Sequence, residues 1–297
     1  MMVDIKNFPI ASIVFEGDYR LGALQALSLD RLYDQRSVTE YTIILNGQDD
    51  DKLESCFRAD VFPKLSDNLR EKIKFLRWED LLGDAERDGY YDQQALKLAL
   101  GGYYDSDVYL MLDAKNHFTR PTKPEDFMAN GKPAMPIVRA NDTWRGYVKN
   151  SLAAVGNMTA DPEVMMPSIT PFIMHTREVR GLRDFLTTKY DAALPQSLRK
   201  TGGTEFILYY AFIQSRFNDL YTDAPQPVRT LFTKWPQDPE IVKRYIEEVS
   251  DRNVPIFGLH RKRLPQLTDG QKDMIASMWH RHLLSPWENA EWFLQYD

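Results

Sequence analysis

The sequence predicts an α/β protein built on a doubly wound sheet, because apolar runs of strand length alternate with segments of helical periodicity in its first half. Residues 11–15 form the first apolar run, and leucines then recur at near-helical spacing over residues 19–33. A second observation is the uninterrupted apolar run over 108–112, which ends abruptly in polar side chains. Buried strands that end in polar groups are typical of open α/β sheets, whose ligand sites lie at the carboxyl ends of the strands.

The other elements of the first half follow from apolar runs and their stop signals. Residues 41–46 predict a second strand, which Asn46 and Gly47 end, and residues 73–78 predict a third. Residues 91–100 are rich in helix-forming side chains, and Gly101 and Gly102 are expected to terminate that helix before the 108–112 strand.

The second half predicts longer helices. Helices are expected over residues 144–155, 177–190, 205–217 and 239–250, and strands over 169–175, 229–233 and 255–259. Two capping boxes, Thr268 with Gln271 and Ser285 with Glu288, are each expected to open an amphipathic helix of the tail.

The sequence contains no repeat, low-complexity tract or flexible linker. We therefore predict one domain over residues 1–265, with a helical extension over residues 266–297 packed on it. Trp279, Trp287 and Trp292 of this extension are expected to pack onto the sheet, although an interaction module built around them is the alternative.

Charge and motifs exclude several classes of protein. A net charge of −6 argues against general nucleic-acid binding, because neutralising phosphates requires a basic surface. The sequence contains no Gly-rich dinucleotide motif, P-loop, nucleophile elbow or His-Glu-x-x-His pair. Dehydrogenase, kinase, esterase and zincin activities therefore have no support.

Cysteine content and hydropathy bear on the compartment. The one cysteine, Cys56, excludes an internal disulfide framework and fits a reducing compartment. No signal-peptide pattern opens the sequence, and no apolar run reaches the length of a membrane span. A cytoplasmic protein without a transmembrane segment is expected.

The polar residues after the 108–112 strand are the first candidates for a site. Taken alone, Asp113, Lys115 and Asn116 fit a polar turn in which the acid bonds nearby backbone amides. Their position at the end of a wholly apolar run favours a ligand site instead.

Several short motifs, in their order and spacing, resemble bacterial glycosyltransferase-like proteins of the GT-A fold. The segment Gly89-Tyr-Tyr-Asp-Gln-Gln-Ala-Leu-Lys-Leu98 is similar to the Gln-Gln-x-x-Lys-Leu helix of that family, and Leu112-Asp-Ala-Lys115 to its Leu-Asp-x-Asp strand end. The match continues through Phe118-Thr-Arg-Pro121, Thr170-Pro-Phe-Ile-Met174, Gly203-Thr-Glu-Phe-Ile-Leu-Tyr-Tyr210 and Phe257-Gly-Leu-His-Arg261. The resemblance implies a GT-A-like doubly wound mixed sheet flanked by helices, with a helical C-terminal tail.

The resemblance also implies a donor site. In that fold the acidic motif holds the ribose of a nucleotide sugar and a divalent ion that bridges its diphosphate, which assigns Asp113 to the donor. The other residues implied to bind the donor are Glu16, Asp18, Gln93, Gln94, Lys97, Asn116 and Arg261. Glu16 and Asp18 would lie at the nucleotide base, and the glutamine amides would bond sugar hydroxyls.

Lys115 stands where the family has a second acid, which leaves two interpretations open. Either Asp113, Asn116 and His260 surround Mn²⁺ or Mg²⁺, or Lys115 supplies the positive charge that offsets the departing phosphate. The lysine interpretation is slightly favoured, because an ammonium at about 4 Å repels a unit charge by about 4 kcal/mol at an effective dielectric of about 20, and a dication by about twice that. A solvent-facing Lys115 would favour the metal.

Glu205 and His260 have both structural and catalytic interpretations. Thr204 would cap the helix that Glu205 opens, and a lone histidine is usually structural. The resemblance implies instead that Glu205 lies near the acceptor as a general base in an inverting transfer, and that His260 with Arg261 stabilises the leaving diphosphate. The sequence leaves a retaining mechanism open.

The sequence and the resemblance together predict a glycosyltransferase that moves a sugar from a nucleotide-sugar donor to a saccharide or glycan acceptor in bacterial surface polysaccharide assembly. Glu205, His260 and Lys115 are the expected catalytic residues. The alternative is a catalytically inactive nucleotide-sugar-binding protein of the same fold. The expected cofactor is none or a divalent cation, nucleic acid is not an expected partner, and peripheral membrane association stays open.

Overall fold

The computed structural model describes residues 6–296 and has a mixed α/β fold, in which a mostly parallel central sheet is flanked by helices. The predicted α/β class is therefore confirmed. Residues 1–5 of the predicted domain and residue 297 of the predicted extension lie outside the described residues.

Most predicted elements are present. The strands are β1 (Phe8–Val14), β2 (Val38–Leu45), β3 (Ile73–Leu76), β4 (Val108–Asp113), β5 (Asn116–Phe118), β6 (Met128–Ala129), β7 (Lys132–Pro133), β8 (Val138–Arg139), β9 (Val164–Met165), β10 (Phe172–His175), β11 (Val228–Leu231) and β12 (Ile256–Leu259). The α-helices are α1 (Tyr19–Leu32), α2 (Asp50–Cys56), α3 (Asp67–Lys72), α4 (Trp78–Leu82), α5 (Asp92–Tyr103), α6 (Asp142–Val155), α7 (Thr176–Tyr190), α8 (Leu194–Thr201), α9 (Glu205–Ile213), α10 (Phe217–Leu220), α11 (Pro239–Ser250), α12 (Asp269–His282) and α13 (Ala290–Phe293).

The strands form a large sheet and smaller ones. The five-stranded sheet has the order β10-β4-β1-β2-β3, and β10 runs antiparallel to β4. A three-stranded sheet has the order β11-β12-β5, with β11 parallel and β5 antiparallel to β12. β1 is buried along its whole length and β4 is buried up to Asp113, which explains why their sequences are continuous apolar runs.

The chain divides into two compact units. Among the described residues, the first unit comprises 6–11, Leu76–Met111 and Phe127–Gln226, and the second comprises Ser12–Phe75, Leu112–Asp126 and 227–296. The first unit contains a helical core in which α5 packs on α7 and α6 packs on α9. In the second unit α1 packs on β5, and α11 packs on both β11 and α12. The predicted division at residue 265 stays a prediction.

The helix after residue 91 does not end at its glycines, so that prediction was wrong. α5 continues through Gly101 and Gly102 to Tyr103. A Cβ at Gly101 would lie 2.8 Å from the backbone nitrogen of Arg180 in α7. Gly101 therefore permits the close approach of two helices and does not act as a stop signal.

The tail is helical, as predicted, but one of its two capping boxes does not open a helix. Thr268 and Gln271 cap α12 reciprocally. Glu288 accepts the Ser285 N–H at 2.7 Å, yet its carboxylate is also held by Arg31 at 2.6 and 2.8 Å, and the next helix begins only at Ala290.

The three tail tryptophans have different environments. Trp279 is fully buried and donates a 2.8 Å hydrogen bond from Nε1 to Nε2 of His117 in β5. Trp292 is half-buried, whereas Trp287 is 84% exposed. The expectation that all three pack onto the sheet is therefore wrong for Trp287. Within residues 6–296, no helix is both long enough and apolar enough to cross a bilayer.

Candidate functional site

The turn between β4 and β5 carries the polar residues singled out in the sequence. The Asp113 N–H donates to Oδ1 of Asn116 at 3.0 Å, which closes the turn. Gln25, fully buried in α1, donates from Nε2 to the carbonyl oxygens of Asp113 at 2.7 Å and Asn116 at 2.8 Å. Tyr41 in turn donates to Oε1 of Gln25 at 2.9 Å. A buried amide network therefore fixes the backbone from which Asp113 projects.

Lys115 forms an ion pair with Asp113. The Lys115 side chain is only 13% exposed, and that of Asp113 is 29% exposed. Lys115 therefore does not face solvent, which removes the condition under which the sequence favoured a metal.

Asp18 and Arg261 form a second ion pair in the same unit. Nε of Arg261 lies 3.3 Å from Oδ1 of Asp18, and its guanidinium stacks 4.8 Å from the centroid of the Phe15 ring. A Cβ at Gly17 would lie 3.1 Å from the guanidinium carbon, so glycine gives Arg261 room. Burial raises the pKa of Asp18 to about 6, although the charges of Arg261 and Lys115 oppose that rise.

His260 caps the turn that follows β12. Its Nδ1 accepts the N–H of Lys262 at 3.2 Å and lies 3.2 Å from the Thr233 hydroxyl. Because Nδ1 accepts a backbone N–H, the proton of the neutral imidazole is on Nε2. Burial, together with the nearby charges of Lys115 and Arg261, lowers the pKa of His260 to about 4. His260 is therefore a neutral hydrogen-bond donor near neutral pH.

Two carboxylates, three cations and one imidazole form a charged cluster in the second unit: Asp18, Asp113, Lys115, Arg261, Lys262 and His260. The Leu259 N–H donates to the Lys115 carbonyl oxygen at 2.9 Å, which brings the β4–β5 turn beside His260, and Arg261 pairs with Asp18. Lys115 and Asp113 accordingly influence the pKa of both Asp18 and His260. Lys262 acts on the same two groups, so three cations stand against two carboxylates. A surplus of positive charge beside a neutral N–H donor suits an anionic ligand such as a diphosphate.

Glu16 makes contacts of a different kind. Its Oε1 accepts the N–H groups of Gln48 at 2.5 Å and Asp49 at 3.1 Å. Burial raises its pKa, but backbone hydrogen bonds outweigh burial, and the net shift is downward. Glu16 thus holds the loop after β2, and its role at a nucleotide base stays a prediction.

The proposed metal ligands do not fit a divalent cation in this arrangement. Asp113 is ion-paired with Lys115, Oδ1 of Asn116 accepts the Asp113 N–H, and Nε2 of His260 carries the proton. Across residues 6–296, no group of three or more His, Cys, Asp or Glu side chains is placed to hold a metal ion.

A second polar group lies in the first unit and joins two motifs of the sequence. Lys97 Nζ in α5 lies 3.0 Å from Oε1 of Glu205 at the start of α9, and both side chains are nearly buried. Gln94 Oε1 accepts the Glu205 N–H at 3.2 Å. Lys97 Nζ also lies 4.8 Å from the centroid of the Phe206 ring. Gln94 and Lys97, predicted at the donor, therefore contact Glu205, predicted at the acceptor.

Two neighbouring residues differ from the simplest expectations. Thr204 is the N-cap residue of α9, as the structural interpretation expected, but its side chain makes no capping hydrogen bond. Gln93 is exposed, whereas Gln94 is buried, so the two glutamines have different environments. Sequence patterns did not identify Gln25. The one feature that could have drawn attention to it is its polar amide among the buried apolar residues of α1.

These features define an α/β protein with a charged cluster at the carboxyl end of β4. The chain belongs to DUF6492, a family of unknown function whose model matches residues 16–234. No curated protein matches it.

Several solved structures are similar to the chain, and three of them are glycosyltransferases by name. Mouse xyloside xylosyltransferase 1 is 12% identical with a TM-score of 0.43, and the match covers 85% of this chain and 97% of that one. The galactosyltransferase LgtC, solved with donor and acceptor sugar analogues, is 14% identical with a TM-score of 0.48, covering 96% and 99%. The bifunctional glycosyltransferase WbbM is 11% identical with a TM-score of 0.46, covering 93% of this chain and 52% of that one.

Proposed function

We propose that the chain is a glycosyltransferase that moves a sugar from a nucleotide-sugar donor to a saccharide or glycan acceptor. The charged cluster carries this proposal, because it offers three cations and a neutral imidazole N–H at the end of a buried strand. Such a group of donors stabilises the negative charge that a departing diphosphate gains in the transition state. The motif resemblance to GT-A glycosyltransferases supports the same assignment.

The proposed reaction breaks the bond between the sugar anomeric carbon and the diphosphate oxygen, and the electron pair stays on that oxygen. Lys115, Arg261 and the Nε2 proton of His260 would bind the resulting negative charge. The acceptor hydroxyl oxygen forms the new bond to the anomeric carbon and loses its proton. In an inverting transfer Glu205 would take this proton.

In this proposal Lys115 supplies the positive charge that a divalent cation would otherwise provide. Its ion pair with Asp113 holds the ammonium in one position, and the buried Gln25 network fixes the backbone beneath it. A positioned charge needs no reorganisation when the phosphate departs, which is the main source of electrostatic catalysis. Donor binding and transfer should therefore not require Mn²⁺ or Mg²⁺.

A nucleotide-sugar-binding protein without transferase activity is the second candidate. The observation in its favour is the ion pair between Glu205 and Lys97, because the lysine ammonium occupies the Oε1 that a general base would use to take the acceptor proton. This candidate predicts donor binding without release of nucleoside diphosphate.

The biological setting rests on the motif resemblance. It suggests a cytoplasmic enzyme of bacterial surface polysaccharide assembly, in which residues 1–265 form the catalytic domain and residues 266–297 an extension. Peripheral attachment to a membrane is compatible with that setting.

The proposal is tested by thermal shift and calorimetric titration with UDP, GDP, CMP and their sugars, each in EDTA and in Mn²⁺. A ligand that binds the native state raises its melting temperature. We expect one nucleotide class to bind equally in both buffers, and Lys115→Met to weaken that binding at least about tenfold. Lys149→Met, an exposed lysine of the first unit, is the matched control. If no nucleotide or nucleotide sugar binds, the proposal is wrong.

A further inference from the structure

Four aromatic side chains of the first unit form a partly exposed surface. Tyr90 is 66% exposed, and its ring centroid lies 5.2 Å from that of Tyr91, with the rings edge-on. Trp144 and Tyr147 stand one turn apart on α6, are half-buried, and have centroids 5.7 Å apart. The two pairs lie in the same region because α6 packs on α9, the helix that Glu205 opens, and because Tyr147 is near enough to add to the rise that burial causes in the pKa of Tyr90.

The aromatic surface is connected to the Lys97–Glu205 ion pair. Gln94 donates from Nε2 to the Tyr90 carbonyl oxygen at 3.4 Å, while its Oε1 accepts the Glu205 N–H. Burial raises the pKa of Tyr90, and the nearby Glu205 carboxylate raises it further. The exposed ring and the buried carboxylate therefore belong to one local structure.

Thr204 adds an unsatisfied polar group beside this carboxylate. It is 3% exposed, and its Oγ1 has no hydrogen-bond partner within the described part of the chain. Thr204 directly precedes Glu205 at the N-terminus of α9. Buried hydroxyl groups without a partner are uncommon in native proteins, and a ligand hydroxyl would supply the missing bond.

We propose that a neutral pyranose ring binds here, with its C–H face on the Tyr90 ring and its hydroxyls toward Glu205, Lys97 and Thr204. This inference rests on the proposed transferase function and gives it a sugar subsite built from Tyr90, Tyr147 and Trp144. A sugar ring presents an apolar face and an edge of hydroxyls that both donate and accept. The aromatic surface matches the face, and the polar group below it matches the edge.

The charges of the subsite favour a neutral sugar. Lys97 and Glu205 together carry no net charge, and both are nearly buried. A uronic acid would bring an uncompensated carboxylate to Glu205, and such a charge is costly to desolvate. A glycoside without ionised groups should therefore bind more tightly than its uronic acid counterpart.

Saturation-transfer NMR and titration with methyl glycosides of glucose, galactose, mannose and N-acetylglucosamine test this subsite. We expect at least one to bind the full-length protein. Tyr90→Ala should weaken that binding about tenfold, while Tyr90→Phe, which keeps the ring, should change it by less than about threefold. Trp287→Ala removes another highly exposed aromatic side chain, in the second unit, and should have no effect.

The subsite is overturned if none of the four glycosides binds, if Tyr90→Ala binds as tightly as the wild type, or if Trp287→Ala weakens binding equally. Methyl glucuronide binding as tightly as methyl glucoside would overturn the preference for a neutral sugar. Nucleotide titration of the wild type keeps the two proposals apart, because it reports on the charged cluster alone. Glycoside binding without nucleotide binding would contradict the transferase and leave a sugar-binding protein.

Discussion

Nζ of Lys97 lies 3.0 Å from Oε1 of Glu205, although 108 residues separate them in the sequence. The contact ties the helix that precedes β4 to the helix that follows the Gly202-Gly203 turn. Only 10% of the lysine side chain and 8% of the glutamate side chain are exposed. Lys97, predicted to bind the donor, and Glu205, predicted to lie near the acceptor, therefore form one nearly buried ion pair.

Lys97→Met is expected to lower the free energy of unfolding by about 3 to 5 kcal/mol, because it leaves the Glu205 carboxylate buried without its partner. Urea unfolding at neutral pH measures this change. The double variant Lys97→Met/Glu205→Met removes both charges and should recover most of the loss. A Lys97→Met protein as stable as the wild type would mean that the pair is solvated in solution.

Stability should fall as the pH falls from neutrality, in part because of His117. Burial lowers the pKa of His117 from 6.5 to about 3. Below about pH 6.5 the His117 imidazole is protonated in the unfolded chain but stays neutral in the native state. The stabilisation is therefore complete above that pH and is lost toward pH 3. Each such proton contributes about 1.4 kcal/mol per pH unit.

Unfolding of wild type and His117→Gln at about pH 7 and about pH 5 isolates this contribution, since glutamine can still accept the Trp279 hydrogen bond. Between these two pH values, the free energy of unfolding of the variant should depend on pH less steeply than that of the wild type, by the uptake of about one proton. An equal pH dependence of the unfolding free energy in the two proteins would show that a group other than His117 titrates.

Nucleotide-sugar affinity should rise as the pH falls through about 6, the pKa of Asp18. The pKa of this carboxyl is raised from 3.8, so Asp18 is ionised above about 6 and neutral below it. Its protonation removes one negative charge from the cluster that binds an anion. The affinity should increase about fivefold, equivalent to about 1 kcal/mol. In Asp18→Asn the affinity should be independent of pH over this range, and a pH dependence equal to the wild type would exclude Asp18 as the titrating group.

Gln25→Leu should destabilise the protein by about 2 kcal/mol, because it strips two carbonyl oxygens and the Tyr41 hydroxyl of their partner. Loosening of the β4–β5 turn should also weaken nucleotide binding through Lys115. Chemical unfolding and calorimetry measure the two effects, with the exposed Gln295→Leu as control. If Gln25→Leu destabilises the protein but binds nucleotide as tightly as the wild type, the β4–β5 turn does not position Lys115 for binding.

Periodicity predicted those elements whose signals are local. α1 and α11 follow the leucine spacing and the Pro239 start, and β4 follows its apolar run. Gly101 was misinterpreted as a stop because its function is contact with α7, a tertiary relationship that composition does not encode. Ser285 and Glu288 have the pattern of a capping box, but Arg31 competes for the glutamate.

The sequence could name the residues of the candidate site but not the contacts between them. Asp113, Lys115 and His260 were predicted from motif position, whereas the Nδ1 contact that fixes the His260 proton depends on the Lys262 backbone. Glu205 was predicted as a base without its partner, because Lys97 lies on a distant segment. Gln25 has no motif, and only the fold brings its amide to the β4–β5 turn.

The most direct test of the central claim is the rate at which nucleoside diphosphate is released from the bound nucleotide sugar with a methyl glycoside as acceptor. The rate is compared in EDTA and in Mn²⁺, for the wild type and for Lys115→Met. Equal wild-type rates in both buffers, and a loss of at least about a hundredfold in Lys115→Met, are the predicted result. A wild-type rate that EDTA abolishes and Mn²⁺ or Mg²⁺ restores would contradict the assignment of Lys115 in place of a metal.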